Sequence, residues 1–285
     1  MRVNKIRLRS EKLGEIFTLS LFTTAIPQPY EIKAATGLDA DSIHPVTYGG
    51  DVSGNRFYNM SLDSRDIVMR IGLNPDVGNN ESFSDLRSKV QRAIAASRNP
   101  LVTIDLLLDS TVVASINGHI SSFAASTFVS LPEIQLKVTC DIDSFFVGPL
   151  VTLSDLSEVN TTGTLELDYA VGTAPTGIST VVNITNPMSS FGFAGIDGEW
   201  LFNVIYTFLT NDVLVINTEP GRLEVSVVRY NPTITEYETI SLGDRVEASS
   251  LWPILFPGLN TYLVAASVGL YEIDSFSYYP KYWGI

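Results

Sequence analysis

Apolar and polar residues alternate along most of this chain, and this alternation is typical of β-strands with one buried face. In the clearest case Ile134, Leu136 and Val138 point to one side, and the intervening polar residues point to the other. The same pattern predicts first-half strands around residues 3–8 and 16–21 and over residues 65–73, 101–108, 111–116 and 134–140. Asp109-Ser110 and Asn117-Gly118 predict turns between these runs, and Asn-Gly is the stronger turn signal.

One segment departs from the alternation and has the spacing of an amphipathic helix. Between residues 82 and 97, Phe83, Leu86, Val90 and Ile94 recur on one helical face. Ser82 is followed three residues later by an aspartate, which resembles a capping box with a shorter acid, and a proline at position 100 ends the pattern. We therefore predict a single helix within a strand-rich first half.

The second half of the chain has no convincing helical spacing. Gly148-Pro149 and a polar stretch at residues 154–162 predict a domain boundary near residue 150. Turns are predicted at residues 219–222 and at Pro257-Gly258, and a switch of apolar parity predicts a bulge near Asp274-Ser275. Eight predicted strands favour an antiparallel sandwich: residues 163–171, 179–184, 200–207, 212–217, 223–230, 233–240, 260–268 and 270–279. The chain thus reads as a mainly β protein with one helix, divided into residues 1–149 and 150–285.

The sequence closes on an aromatic segment. Tyr278, Tyr279, Tyr282, Trp283 and Ile285 carry a large apolar area, whose burial is favourable by roughly 25 cal/mol per Å². Disordered termini are normally polar, so this segment is expected to pack. We expect it to pack against the second domain, with contact to a neighbouring chain as the alternative.

Composition and charge narrow the possible functions. The 285 residues are 45% hydrophobic, yet no apolar run approaches the ~20 residues of a membrane helix. The net charge is −13; the first twelve residues carry +4 and the remainder −17, which argues against nucleic-acid binding by the protein as a whole. The basic start is interpreted as folded chain rather than a signal peptide. A single cysteine excludes an internal disulfide.

Few residues carry recognisable chemistry. His44 and His119 do not share metal-ligand spacing with each other or with Cys140, and Asp141 with Asp143 supplies too few acids for a calcium loop. No phosphate loop, dinucleotide fingerprint or serine-nucleophile motif is present. We therefore expect no metal, no cofactor and no catalytic residue.

Two carboxylate pairs keep other functions open. Glu166 with Asp168, and Asp197 with Glu199, are each spaced to share one face of a strand, as acids of a β-sandwich glycosidase could be. Phe191, Phe193 and Trp200 lie near the second pair in sequence and could stack on sugar rings. The remaining interpretation is an exposed strand face beside core aromatics.

The order of these segments resembles that of siphophage distal tail proteins. In the first half the match consists of RDIVMRIGL, the helix, LVTIDLLL, the NGHI segment and IQLKVTCDIDSFF. In the second half it consists of DVLVINTEPGRLEVSV, LWPILFPGLN and YYPKYWGI. Together they cover essentially the whole chain.

The resemblance implies an α+β tail-tube-like split barrel over residues 1–149, followed by an all-β galectin-like sandwich over residues 150–285. It implies a structural, non-enzymatic virion protein, assembled in the host cytoplasm, without a membrane partner. Six copies would form a ring at the distal end of a long non-contractile tail. The implied partners are the tail tube protein and the tail tip or baseplate hub protein, with the tape measure and receptor-binding proteins as further contacts.

The ring also implies a channel through which genomic DNA passes without specific binding. Six copies would carry −78, six times −13, and carboxylates on the channel wall would repel the phosphate backbone. The alternative function is a carbohydrate-binding β-sandwich protein that takes part in host-surface recognition. A β-sandwich glycosidase is a third possibility.

Overall fold

The computed structural model describes residues 3–10, 14–21, 28–39, 43–50, 54–62, 64–75, 82–95, 101–126, 132–141, 144–154, 159–195, 201–219 and 221–284. The chain divides into two compact units, Met1–Pro149 with Tyr282–Ile285, and Leu150–Lys281. Strands dominate both units and the described ranges hold one α-helix, which confirms the predicted mainly β fold class. None of the described helices is long and apolar enough to cross a membrane.

The first unit is built around one curled antiparallel sheet. Its elements are β1 (Lys5–Ser10), β2 (Gly14–Ser20), β3 (Tyr30–Thr36), β4 (Ile43–Gly50), β5 (Gly54–Leu62), β6 (Arg65–Leu73), α1 (Phe83–Ala95), β7 (Leu101–Leu108), β8 (Thr111–Ala125), β9 (Glu133–Cys140) and β10 (Phe146–Val147). The strand order is β2-β1-β7-β8-β9-β6-β3, with β10 paired to β8. The two outer strands, β2 and β3, lie beside each other, so the sheet forms an open barrel around its apolar core.

Helix α1 begins with the predicted capping box. The backbone N–H of Asp85 donates to Ser82 Oγ at 3.2 Å, and the backbone N–H of Ser82 donates to Asp85 Oδ2 at 3.0 Å. Leu86 and Val90 are buried in the barrel core, as the helical spacing predicts. Phe83, predicted on the same apolar face of the helix, is 41% exposed. It lies in the first turn of the helix.

The predicted turn at Asn117-Gly118 is wrong, because β8 continues through both residues to Ala125. Glycine is needed there for packing. A Cβ at position 118 would lie 2.7 Å from the carbonyl oxygen of Thr139 and 2.8 Å from Val138 Cγ1. The turn at Asp109-Ser110 does form, and Asp109 takes a φ of 59°.

The second unit is a β-sandwich. Its elements are β11 (Val151–Ser154), β12 (Val159–Tyr169), β13 (Thr176–Gly177), β14 (Ser179–Ile184), β15 (Met188–Gly195), β16 (Leu201–Phe208), β17 (Val213–Asn217), β18 (Glu224–Asn231), β19 (Glu236–Ser241), a 3₁₀ turn (Gly243–Arg245), β20 (Ile254–Leu255) and β21 (Gly258–Tyr278). The two-residue β22 (Lys281–Tyr282) follows and belongs to the sheet of the first unit. The main order is β16-β15-β21-β14-β17-β18-β19, with β11 and β12 also on β21. Aromatic and aliphatic side chains from both ends of this order form one core.

Strand β21 lies between β15 and β14 in the sheet order and pairs with different neighbours along its length. Its first part pairs with β12 and β15, and its second part pairs with β14 and β11. Sequence predicted two strands here, and the single strand instead contains Gly269 at φ +127°, where a Cβ would meet the Pro187 carbonyl oxygen at 2.6 Å. The predicted bulge is confirmed: Val181 pairs with Ser275 and Val182 with Ile273, which leaves Asp274 unpaired in the register.

The aromatic C-terminal segment is divided between the two units. Tyr278 is buried in the second unit, where its ring lies 5.2 Å from that of Tyr169. Tyr282 is buried in the first unit, and the ring of Trp283 lies 5.0 Å from that of Phe145. The expectation that the whole segment packs on the second domain is therefore wrong for its last residues, which belong to the first unit.

Candidate assembly site

A covered carboxylate lies on the outward face of the first unit's sheet. Neighbouring strands β1, β7 and β8 place Arg7, Asp105 and Ser115 in cross-strand register. Arg7 Nε and Nη2 donate to Asp105 Oδ2 at 2.9 and 2.8 Å, and Arg9 Nε donates to the same oxygen at 2.8 Å. Ser115 Oγ donates to Oδ1 at 2.7 Å. Part of the basic N-terminal charge is therefore bound within the chain.

Burial alone would raise the pKa of Asp105, because it disfavours the charged form. Hydrogen bonds from Ser115, Arg9 and Arg7 outweigh that effect and hold the pKa below its ordinary value. Asp105 therefore stays ionised beneath two guanidinium groups, and the cluster presents one net positive charge. The guanidinium groups themselves remain partly exposed, which makes this an outward anion-facing surface.

An aromatic contact and a hydrogen bond close the barrel and tie the helix to it. The rings of Phe17 on β2 and Tyr30 on β3 lie 5.7 Å apart. Tyr30 Oη donates to the backbone carbonyl of Leu86, within α1, at 3.0 Å. The strand edges and the helix thus form one connected element.

A hollow of 190 Å³ lies beside the start of the helix. Phe83, Arg87, Leu73 and Pro132 are among its lining residues. The Nε atom of Arg87 is buried and has no hydrogen-bond partner within the described ranges. The exposed Phe83 ring gives this part of the surface an apolar character.

Strands β4 and β5 form a separate two-stranded hairpin. Its register runs from Ile43↔Leu62 to Gly50↔Gly54. Neither strand pairs with any other strand in the described part of the chain. Isolated two-stranded hairpins are marginally stable in water. The outer backbone N–H and C=O groups of this hairpin are therefore suited to pairing with a further partner, which would stabilise it.

Among the described residues, the candidate metal and thiol residues His119, Cys140 and Asp141 do not form a metal site. His119 Nε2 lies 3.7 Å from Asp141 Oδ1, and no group of three potential ligands occurs among the described residues. Cys140 is buried, and burial raises the pKa of its thiol to about 12, so it is an inert core residue. The side chain of His44 and all of Asp143 lie outside the described part.

Of the two carboxylate pairs, only one lies within the described residues. Glu166 and Asp168 share the exposed face of β12, alternating with buried Leu165 and Leu167, so this pair forms an ordinary solvent-facing strand surface. Asp197 and Glu199, like Trp200, lie outside the described residues.

Two of the three aromatic side chains proposed to stack on sugars, Phe191 and Phe193, are not available to do so. Phe191 and Phe193 are both in the core of the second unit, where their rings pack edge to face at 5.3 Å. Sequence analysis missed their strand, β15, because Gly192 interrupts its pattern. A Cβ on Gly192 would lie 2.3 Å from the Phe202 carbonyl oxygen, so the neighbouring strand requires a glycine there.

The acidic charge is concentrated in the second unit. Residues 1–149 contain 14 Lys and Arg against 16 Asp and Glu, a net of −2, and residues 282–285 add none. Residues 150–281 contain 4 Lys and Arg against 15 Asp and Glu, a net of −11. Three of those four cations already lie within ion-pair distance of a carboxylate: Arg229 with Asp212, Arg245 with Asp244 and Lys281 with Glu219.

Comparison with known proteins gives no match at the level of sequence and a clear one at the level of structure. No protein-family model and no curated protein matches the chain. Two phage p2 baseplate structures, in the activated conformation with Sr and with Ca, align over 96% and 98% of this chain and 98% of theirs, at 9% and 8% identity. Their TM-scores of 0.38 and 0.39 do not establish a common fold.

The crystal structure of the Dit protein of phage SPP1, in contrast, has a TM-score high enough to establish a common fold. It is described as a paradigm of the hub adsorption apparatus in phages that infect Gram-positive bacteria. It aligns over 97% of this chain and 98% of its own at a TM-score of 0.60, with 16% identity. The resemblance noted in the sequence is thereby confirmed at the level of the fold: this chain has the fold of the SPP1 Dit protein over nearly its full length.

Proposed function

We propose that this chain is a structural hub protein of a long-tailed phage. Six copies form a ring at the distal end of the non-contractile tail and connect the tail tube to the tail tip or baseplate hub. The observation that carries the proposal is the fold shared with the SPP1 hub protein over nearly the full length of both chains. The protein acts in the virion, after assembly in the host cytoplasm, and without catalysis.

Features of the first unit support its assignment to the ring wall. The open barrel is closed by Phe17 and Tyr30 and braced by α1, which gives a rigid body for subunit contacts. The β4–β5 hairpin has backbone edges that no other described strand pairs with, and it extends to the adjacent subunit. The cationic cluster of Arg7 and Arg9 over Asp105 is a natural contact for a neighbouring carboxylate.

The second unit forms a galectin-like sandwich that projects from the ring. Its interior is filled by aromatic side chains, so it serves as a rigid support and does not bind sugar through Phe191 and Phe193. Partners of the assembled ring are the tail tube protein, the tail tip or baseplate hub protein, the tape measure protein and receptor-binding proteins.

The charge distribution changes how DNA passage is explained. If the first units line the channel, six copies bring −12, six times −2, rather than −78. Repulsion of DNA then depends on a few placed carboxylates, and most of the acidic charge faces outward on the second units. Genomic DNA passes without specific binding in either case.

Negative-stain electron microscopy and native mass spectrometry of the purified protein test the ring. We expect particles with sixfold symmetry and a central hole, at a mass of 187 kDa, six times 31.2 kDa. A monomer that persists at high protein concentration would overturn the proposal.

A shortened hairpin tests the assigned contact. Replacing residues 46–59 with a two-glycine turn removes most of β4 and β5, which pair with no other described strand. We expect a folded monomer. The matched control shortens the β18–β19 turn at residues 232–235 and should still form rings; rings from the first variant would exclude the hairpin as the subunit contact.

A further inference from the structure

The hairpin formed by β18 and β19 has an exposed apolar tip. Tyr230 and Tyr237 are directly opposite each other in the register, 47% and 71% exposed, and Ile234 in the connecting turn is 52% exposed. We call these three residues the tip patch. Strand β19 is the last strand in its sheet order, so one edge of the hairpin is unpaired among the described strands.

The tip patch is held in place by polar contacts within the hairpin and with the adjoining turn. Asn231 Nδ2 donates to Glu238 Oε2 at 3.2 Å, and Asn231 Oδ1 accepts from the backbone N–H of Thr233 at 3.0 Å. Arg229 donates to both carboxylate oxygens of Asp212 at 2.8 and 2.6 Å. The exposed rings therefore stand on an ordered support, which lowers the entropy lost when a partner binds them.

The charge around the tip patch is negative. Glu236, Glu238 and Asp212 lie on or beside the hairpin, and the guanidinium of Arg229 on β18 offsets one of these three charges. The whole second unit carries −11. An exposed aromatic face beside carboxylates favours Lys or Arg, through cation–π attraction and ion pairing together.

A sugar and a second copy of this chain are less suitable ligands for the tip patch. The tyrosine rings meet at 65°, so they offer no common plane for a sugar ring, and the polar groups of Asn231 are already used within the hairpin. A second copy of the same patch would bring like charges together. Exposed tyrosine and isoleucine side chains on an ordered hairpin are instead suited to a protein contact.

We propose that the tip patch is a docking site for a protein partner that presents apolar side chains flanked by Lys or Arg. Tyr237 and Tyr230 are its anchors, and Glu236 contributes to the charge selection. The site does not depend on ring formation, because every residue that builds it lies within one unit of one chain.

A displayed library of random 12-residue peptides, selected on the full-length protein, tests the site. We expect enriched peptides to contain Lys or Arg next to an aromatic or aliphatic residue. Synthetic copies should bind Tyr237→Ser at least about tenfold more weakly than the wild type, as is typical for an anchor residue. Their binding should also weaken between 50 and 500 mM salt, since exposed charge pairs are screened.

Matched variants separate the patch from the rest of the surface. Leu259→Ser removes a similarly exposed apolar side chain elsewhere in the second unit and should leave peptide binding unchanged. Tyr237→Phe keeps the ring and should retain binding, and Glu236→Lys should reduce it without disturbing the core. Unchanged thermal unfolding shows that each variant is folded.

Three results would overturn the proposal. The first is a selection that yields no peptide sensitive to Tyr237→Ser. The second is enrichment of acidic or uncharged peptides. The third is Tyr237-dependent binding on a glycan array, which would assign the patch to sugars. Ring formation is measured in a separate experiment. Absence of peptide binding would therefore not contradict the hub proposal, and absence of a ring would not contradict the docking site.

Discussion

Arg65, at the start of β6, donates a hydrogen bond from its guanidinium to the backbone carbonyl of Trp283, 218 positions later. The same guanidinium donates to the carbonyl of Leu38 at 3.2 Å and lies 5.1 Å above the ring of Phe146. A buried cation at the barrel rim thus connects three distant segments of the first unit, one of which is the C-terminal segment.

Deleting residues 282–285 should destabilise the first unit and spare the second. The deletion removes the buried Tyr282 side chain and a carbonyl acceptor of Arg65, a loss of about 3 kcal/mol. Hydrogen-exchange mass spectrometry should show faster exchange in β6 and β10, with β14 and β17 unchanged.

The control for this deletion is Tyr279→Ser, which removes a partly exposed aromatic side chain three residues upstream. It should leave exchange in the first unit unaltered. Loss of protection in β14 and β17 after the deletion would show instead that the segment supports the second unit.

Asp105→Asn should lower the free energy of unfolding by about 2 kcal/mol, because charge-assisted hydrogen bonds from Arg7 and Arg9 are lost. Denaturant unfolding at neutral pH measures this. Asp66→Asn is the matched control, since Asp66 pairs with Lys137 at an exposed position, and its effect should be below about 1 kcal/mol.

The lowered pKa of Asp105 predicts that its contribution to stability depends on pH in the acid range. The folded-state pKa of Asp105 is lowered, so its contribution is complete above the unfolded-state pKa of about 4 and is lost as the pH falls through the folded value. The difference in stability between wild type and Asp105→Asn should therefore shrink in acid. A constant difference down to pH 2 would contradict this assignment.

Gly118→Ala should destabilise the barrel by about 1–3 kcal/mol, because the added methyl group meets backbone and core atoms that have little room to move. Thermal unfolding should register the change. Gly243→Ala serves as the control, as nothing lies within 4 Å of its added Cβ, and it should be nearly neutral. Equal effects of the two substitutions would argue that β8 bends at position 118 as the sequence suggested.

Cys140 should be almost unreactive in the native protein and fully reactive once the barrel unfolds. With a pKa raised to about 12, only about one thiol in ten thousand is ionised at pH 8. Labelling with a thiol reagent, with and without urea, tests this on the chain's single cysteine. Rapid labelling without urea would show that the barrel opens readily.

The raised pKa of Cys140 also has a consequence for stability. The buried, protonated thiol contributes to the free energy of unfolding. This contribution is complete below the ordinary cysteine pKa of about 8.5 and is lost as the pH rises towards 12. Alkaline unfolding should therefore expose the thiol.

Local patterns in the sequence predicted the strands that have one buried face. The alternation around Ile67 and Met69 gave β6 with its observed bounds, and the Ser82–Asp85 pair located the start of α1. The same reasoning failed where glycine serves packing: Gly118 reads as a turn and Gly192 as an interruption, yet both lie inside strands. Composition alone does not distinguish a glycine needed for φ from one needed for space.

Local sequence patterns could not predict the cluster of Arg7, Arg9 and Asp105, for a different reason. Arg7 and Asp105 are 98 positions apart, and only the β1–β7 register brings them together. Nor did the apolar character of Tyr282 indicate which unit would bury it. Such features depend on topology, which the order of strands along the chain does not determine.

The first unit is interrupted by the second, since the chain leaves it at Pro149 and re-enters it at Tyr282. Val151 and Tyr278 pair across β11 and β21, so the entry and exit strands of the second unit run side by side. For the barrel, 132 intervening residues are then equivalent to one long surface loop with closely spaced ends, whose closure entropy grows only slowly with length. Recombination at these two positions is expected to exchange one second unit for another and leave the barrel's fold intact.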